Sequence, residues 1–261
     1  MGHERIGILP TSKKWREIVD QIAGMSVSED EVADIAQKTI RNVRDRFRHL
    51  AQDDGLLSTF EFFVNLAVAS RENNPQISLS ETGVELPENP TPLAFAKAVN
   101  EYVDPKMDSF EYGEIAQKAA GDAISGWYDQ NQPTMENLFN SVEDPFEVWR
   151  KAGDGAGFCE LSRLFFAKFT QRYLEYFLAR EASAALRSID DRIEFGQHLE
   201  DHVNSISRHA FETSKITQSF AAGWFNKNAR EGVPSQKSIK GFLNTALGKM
   251  RDALQREGDQ E

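Results

Sequence analysis

The chain has 261 residues, of which 40% are hydrophobic, so it can bury one sizeable core. Its formal net charge is -11, and this acid excess disfavours direct binding to nucleic acid, which requires a concentrated basic face. There is one cysteine, no secretory leader and no run of about 18 apolar residues. These features predict a cytoplasmic protein without a membrane span.

The chain opens with a short apolar segment, residues 5–9, which we interpret as a β-compatible arm. Such an arm could add a strand to a sheet of a partner protein, with Ile6, Ile8 and Leu9 as the contacts. Ser12, like the threonine before it, can then cap the first helix.

Capping signals predict the next two helices. Ser28 and Glu31 form a capping box, with acids in the early turns and arginines late, as the helix dipole favours. The Asp-Gly pair at 54–55 is predicted to end this helix. Ser58 and Glu61 repeat the capping box and are predicted to start the following one.

Residues 72–90 interrupt the helical pattern and are predicted to form an extension of hairpin and loop. Apolar and polar residues alternate over 77–79 and 84–86 around a Glu-Thr-Gly turn at 81–83. This pattern is typical of a small β-hairpin, placed near residues 76–87. A threonine followed by Pro92 is then predicted to start another helix.

Residues 130–156 contain two prolines and are predicted to form a connector. The connector ends in the glycine-rich run Gly153-Asp154-Gly155-Ala156-Gly157, directly before a long helix. Backbone N–H groups of such a turn can hold a phosphate. The run has no Lys-Ser/Thr pair of the Walker A type, which favours a structural role.

The most informative segment is the uninterrupted helical stretch of residues 157–186. Wound at 3.6 residues per turn, its apolar side chains form two stripes roughly 80° to 100° apart, so the helix must be buried on more than one side. The aromatic members are Phe158, Phe165, Phe166, Phe169, Tyr173, Tyr176 and Phe177. We therefore predict a mainly α fold, a multi-helix bundle around this central aromatic helix, as a single domain over residues 1–261.

Three histidines are the clearest candidates for chemistry. His198, His202 and His209 lie on a helix predicted from about residue 190 to 228, within about 40° of one line along its surface. His198 and His202 are one turn apart, as in helices that present two imidazoles to one divalent metal. Ordinary boundary histidines and a pH-dependent contact remain alternatives. Three acids could supply a carboxylate oxygen: Glu194, Asp201 and Glu212.

The C-terminal segment, residues 235–257, is predicted to form an amphipathic helix. Its polar side is basic and includes Lys237, Lys240, Lys249 and Arg251, which we predict to contact a partner. Binding to an anionic membrane surface, or packing of the helix on its own bundle alone, are the alternatives.

The capping signals and apolar stripes define the helical scaffold clearly, and its predicted surfaces differ in charge. This combination favours a non-catalytic adaptor or assembly subunit that binds other proteins in a cytoplasmic, bacterial complex. Homo-oligomerisation is left open. No cofactor is expected under this interpretation. One alternative is a metal-dependent hydrolase that uses His198 and His202 and a divalent metal. Another is an accessory component of a multi-gene bacterial system for antiviral (phage) defence.

Overall fold

The structure is a computed structural model that describes residues 10–107, 111–132, 144, 146–211 and 219–256. Within these ranges the protein is mainly helical, with short 3-10 turns and no β-strand. None of the helices described is both long and apolar enough to cross a membrane. The α-helices, in chain order, are α1 (Lys13–Gly24), α2 (Glu29–Asn42), α3 (Arg44–His49), α4 (Asp54–Ala69), α5 (Pro75–Glu81), α6 (Pro92–Val103), α7 (Glu111–Asn131), α8 (Glu147–Arg150), α9 (Gly155–Ala185), α10 (Ile189–Phe211), α11 (Phe220–Asn228) and α12 (Gln236–Arg256).

The central position of the aromatic helix is confirmed. In α9, six aromatic side chains are completely buried: Phe158, Phe165, Phe166, Phe169, Tyr173 and Phe177. The helices α1, α4, α7, α10 and α11 all pack against α9. Phe60 of α4 contacts three of its rings, with ring centroids 5.2 to 6.2 Å apart. The buried apolar side chains of the described residues form one cluster around this helix.

The first predicted capping box is confirmed. The Ser28 hydroxyl oxygen accepts a hydrogen bond from the Glu31 N–H at 3.4 Å, and the Glu31 carboxylate accepts one from the Ser28 N–H at 3.3 Å. Ser26 also donates its hydroxyl to this carboxylate, and these bonds lower the pKa of Glu31. Ser12 and Thr91 cap α1 and α6 as predicted.

The second predicted capping box is wrong, because α4 begins four residues before Ser58. The Asp53 carboxylate accepts from the Leu56 N–H at 2.8 Å and so caps the helix earlier. The Asp-Gly pair at 54–55 therefore opens α4 instead of ending the helix before it. Gly55 is required by packing, since an added Cβ would lie 2.6 Å from the Gly113 Cα of α7.

The predicted β-hairpin near residues 76–87 is also wrong. Asn74 caps the short helix α5 and Pro75 occupies its first position, a combination that starts helices. Gly83, with a φ of 85°, ends the helix in the left-handed conformation. Leu79 of α5 and Val84, which follows the glycine, are both buried, and the Val84 N–H donates to the Leu79 carbonyl at 3.0 Å. The alternation that suggested strands therefore reflects how this helix end packs on the core.

The helix predicted over 190–228 is interrupted. α10 ends at Phe211, and α11 begins only after Ser219, whose backbone is extended and whose hydroxyl oxygen accepts from the Ala222 N–H at 3.0 Å. A residue that caps a new helix cannot continue the previous one. The C-terminal amphipathic helix is confirmed, as α12.

The glycine-rich run before α9 is a packing element. The Asp154 carboxylate accepts from the Gly157 N–H at 2.7 Å and caps α9. A Cβ at Gly157 would lie 1.7 Å from the Lys151 carbonyl oxygen, so only glycine fits. Nearby, the Arg71 guanidinium donates to the carbonyls of Gly153 and Ala229, both at 2.5 Å, and joins the ends of α4, α9 and α11.

We predict that Gly157→Ala lowers the free energy of unfolding by about 2 to 4 kcal/mol, because the new methyl group must displace the Lys151 carbonyl. The matched control is Gly223→Ala in α11, where an added Cβ meets nothing within 4 Å. That variant should be neutral or more stable by up to about 1 kcal/mol. Urea unfolding followed by circular dichroism measures both. Equal stability of the two variants would show that the close contact is not present.

Candidate functional site

A surface groove of about 640 Å³ lies between α2, α10 and α12. The acidic side chains of Glu29, Asp30 and Asp34 come from α2, and His198, Asp201 and His202 come from α10. Uncharged residues of the three helices complete the lining: Ala33, Gln37, Ser205 and Leu254. We call this feature the acidic groove.

Two buried polar side chains position its walls through hydrogen bonds. Gln37 of α2, which is 6% exposed, donates its side-chain amide to the Gln255 carbonyl of α12 at 3.0 Å. Arg163 of α9, which is 3% exposed, donates to Asn204 at 2.8 Å and to Ser207 at 3.0 Å, and these two residues belong to α10. The groove is therefore bounded by helices that are fixed to the bundle.

The structure brings the two predicted metal ligands together in this groove. His198 is 19% exposed, and its Nε2 atom lies 3.4 Å from the Glu194 carboxylate, one turn earlier on α10. Its Nδ1 atom lies 4.0 Å from the Glu29 carboxylate of α2. His202 is partly buried beside it, and His209 is exposed and is not among the groove residues.

The described residues contain no group of three or more His, Cys, Asp or Glu side chains arranged to hold a metal ion. Asp201, one of the predicted oxygen donors, lines the groove with His198 and His202, whereas Glu194 contacts His198 on the helix surface. Glu212, the other predicted donor, lies outside the described residues. The groove thus presents two imidazoles among carboxylates without a three-ligand cluster.

The groove is strongly negative. Four carboxylates line it, and its described lining contains no lysine or arginine. Asp34 is partly neutralised by Lys38, at 2.5 Å, but Asp30 and Asp201 form no ion pair with any described residue. A cleft lined by one sign of charge concentrates the electrostatic field and attracts ions of the opposite sign.

The α2 wall of this site was not predicted from the sequence. Glu29 and Asp30 were interpreted only as complements to the helix dipole, which they are, because both lie in the first turn of α2. Their position opposite His198 depends on packing between segments about 170 residues apart. No local sequence signal reports that contact.

The predicted partner-binding residues of α12 lie away from the lining of the acidic groove. Lys237 and Lys249 are exposed, and Lys240 is partly exposed. Lys249 also lies over the Phe220 ring, 5.1 Å from its centroid, while Arg251 pairs with Asp252 at 2.6 Å. The other predicted contacts, Ile6, Ile8 and Leu9, lie outside the described residues.

A second cleft, of about 430 Å³, lies between α7, α9 and α10. Both of its basic side chains are paired: Arg172 donates to Asp122 at 2.6 Å, and Lys168 pairs with Glu200. The hydrogen bond to Asp122 raises the pKa of Arg172. The remaining acid, Glu175, accepts a hydrogen bond from Gln171 at 2.9 Å. Because most of its charges are already paired, this cleft is a weaker candidate for ligand binding than the acidic groove.

Comparison with known proteins finds no matching family model, no similar characterised protein and no similar solved structure. The geometry and charge of the site itself are therefore the basis for any function assigned to this protein.

We predict that Arg163→Ala lowers the free energy of unfolding by about 3 kcal/mol, because it leaves a cavity at a buried position and removes the donor to Glu160, Asn204 and the buried Ser207. Arg180→Ala, at an exposed position of the same helix, should change it by less than about 0.5 kcal/mol. Chemical denaturation measures both values. A similar small change for both variants would mean that Arg163 does not hold α10 against α9.

Proposed function

We propose that this protein is a non-catalytic adaptor or assembly subunit, and that the acidic groove binds a basic segment of another protein. One observation carries the proposal: a groove of about 640 Å³ between three helices is lined by four carboxylates and, among the described residues, by no basic side chain. A lysine-rich or arginine-rich helix complements both the shape and the charge of such a groove.

The charge of the groove favours a protein ligand with cationic side chains. Asp30 and Asp201 extend from opposite walls, so a bound helix can place basic residues against both. Pairs at the edge of a groove act mainly on association rate and specificity, and they weaken as salt screens them. The small side chains of Ala33 and Ser205 in its lining leave room for the stems of long side chains.

We predict that an amphipathic peptide of about 14 residues, with lysines on one face, binds the full chain with a micromolar Kd at low ionic strength. Fluorescence anisotropy of the labelled peptide measures it. Asp30→Asn combined with Asp201→Asn should weaken binding about tenfold, equivalent to about 1.4 kcal/mol. The peptide with glutamines in place of lysines should not bind.

The matched control combines Asp20→Asn with Asp129→Asn. It makes the same change in net charge at exposed positions on α1 and α7, away from the groove. Peptide affinity that falls equally in both double variants would attribute binding to the overall charge of the protein and contradict the proposal.

A metal-dependent hydrolase is the second candidate function, and one observation favours it: His198 and His202 line the same groove as Asp201. The two imidazoles would hold a divalent ion, which would supply an activated water. The contact between His198 and Glu194 at 3.4 Å competes with such an ion for the Nε2 atom, so the adaptor proposal is preferred.

Metal analysis of protein purified without chelator separates the two candidates. The adaptor proposal predicts less than about 0.1 equivalents of zinc, manganese or iron, unchanged in His202→Ala and in the control His209→Ala, whose side chain is exposed. Stoichiometric metal that is lost in His202→Ala and retained in His209→Ala would replace the adaptor proposal with the hydrolase.

Two further hypotheses from the sequence stay predictions. These are location in the cytoplasm and membership of a multi-gene bacterial system for phage defence. Neither alters the argument for the acidic groove, which depends only on side chains within it.

A further inference from the structure

The outer face of α12 has a charge opposite to that of the whole protein. The chain carries a net charge of -11, yet α12 contains five basic residues and one acid. Its inner face packs in the core through seven buried side chains, so the basic residues project from the remaining surface. We call the stripe of Lys237, Gly241, Asn244 and the partly exposed Gly248, with its flanking Lys240 and Lys249, the basic ridge.

The middle of the basic ridge carries little side-chain bulk. Lys237, Gly241, Asn244 and Gly248 lie within about 60° of one another around the helix, and the flanking lysines lie on both sides. A Cβ added at Gly241 or Gly248 would meet nothing within 4 Å, so the fold itself does not require glycine there. Glycine lowers helix stability relative to alanine. Its presence at both positions lets another backbone approach α12 closely.

The acidic groove is complementary to this ridge. The ridge from Lys237 to Lys249 spans about 18 Å at 1.5 Å per residue, and the α2 wall from Glu29 to Gln37 spans about 12 Å. Acids flank the groove on α2 and α10, as lysines flank the ridge on both sides. The small side chain of Ala33 lies in the groove, where a low ridge can approach.

We infer that the basic ridge of one copy of this protein docks in the acidic groove of a second copy. The inference depends on the proposed function, because it requires that the groove binds a basic protein segment, and it adds the identity of the occupant. The ridge does not suit a membrane, since its exposed residues are polar or glycine. Nucleic acid would be repelled by the acidic surface around it.

Ridge and groove are different surfaces, so the contact is heterologous. When two copies bind in this way, one of them still has an unoccupied ridge and the other an unoccupied groove. Association therefore continues head to tail, as a closed ring or an open chain, and does not stop at a symmetric dimer.

The test uses sedimentation velocity of the full chain and of two neutralised variants. The ridge variant replaces Lys237, Lys240 and Lys249 with glutamine, and the groove variant combines Glu29→Gln with Asp30→Asn and Asp201→Asn. The wild type should associate at about 10 to 100 μM in low salt and revert to its chain mass of 29.5 kDa at about 1 M salt. Each variant alone should associate at least about 30-fold more weakly.

Mixing the two variants is the decisive step. The ridge variant keeps a native groove and the groove variant keeps a native ridge, so together they should form a 1:1 pair of twice the chain mass that does not grow further. A mixture that stays monomeric while the wild type associates would overturn the inference, because the wild-type contact would then be a different one. A wild type that stays monomeric in low salt at about 100 μM would also overturn it.

The glycines provide a second variant that does not depend on charge. Gly241→Ala with Gly248→Ala should raise the melting temperature by a few degrees, because alanine favours the helix more than glycine does. The same change should weaken self-association about tenfold or more, because the two methyl groups keep the backbone of the second copy further from α12. Gly223→Ala, in α11, should leave association unchanged. Self-association unaffected by the paired change would overturn close docking through the ridge.

The experiments separate this inference from the proposed function. If the wild type does not self-associate but the groove binds the lysine-rich peptide, the occupant is another protein and only the inference fails. If the peptide binds neither the wild type nor its control variant, the proposed function fails as well.

Discussion

The fold depends on removal of the α9 aromatic side chains from water on every face of that helix. A buried phenylalanine replaced by alanine costs about 3 to 5 kcal/mol, so six fully buried rings on one helix are a large part of the free energy that orders the bundle. Phe158 is stacked on Phe225 at 4.2 Å, and Phe47 meets Tyr173 edge to face at 5.3 Å. Helices far apart in the sequence thus share one partner, and their mutual positions follow from it.

This packing explains why the candidate sites are at the surface. The rings of α9 fill the interior, and both clefts described above lie between helices on the outside of the bundle. Hydrogen bonds from Arg163 and Gln37 then hold the groove helices in place. A groove with rigid walls can recognise a ligand without first being ordered, which lowers the entropic cost of binding.

Sequence analysis predicted the elements whose signals are local. The capping box of Ser28 and Glu31 and the aromatic stripes of α9 were confirmed because each depends on residues within a few turns. Errors occurred where two local signals competed. Asp53 was the better cap than Ser58, and Asn74 with a following proline started a helix where a three-residue alternation suggested a strand.

The candidate site was only half predictable for the same reason. The pair His198 and His202 was correctly placed on one helix surface, since a spacing of four residues fixes that geometry. The opposite wall, with Glu29 and Asp30, comes from a helix about 170 residues earlier, and its contact with α10 is a property of the tertiary structure. The single-sequence pattern at residues 28–31 was fully explained by capping, so nothing in it indicated a second role.

The charges of the acidic groove are only partly compensated within the protein. Asp30 and Asp34 are four residues apart on α2, a spacing at which like charges destabilise a helix by about 0.2 to 0.5 kcal/mol. Lys38 relieves Asp34, but no described residue pairs with Asp30 or with Asp201 across the groove. Carboxylates gathered in one cleft repel one another in the free protein, and a cationic ligand removes that repulsion when it binds. The helix dipole offsets part of this cost at Asp30, in the first turn of α2, but not at Asp201 in the middle of α10. A cationic ligand that pairs with both carboxylates would therefore add a stabilisation that the free protein lacks.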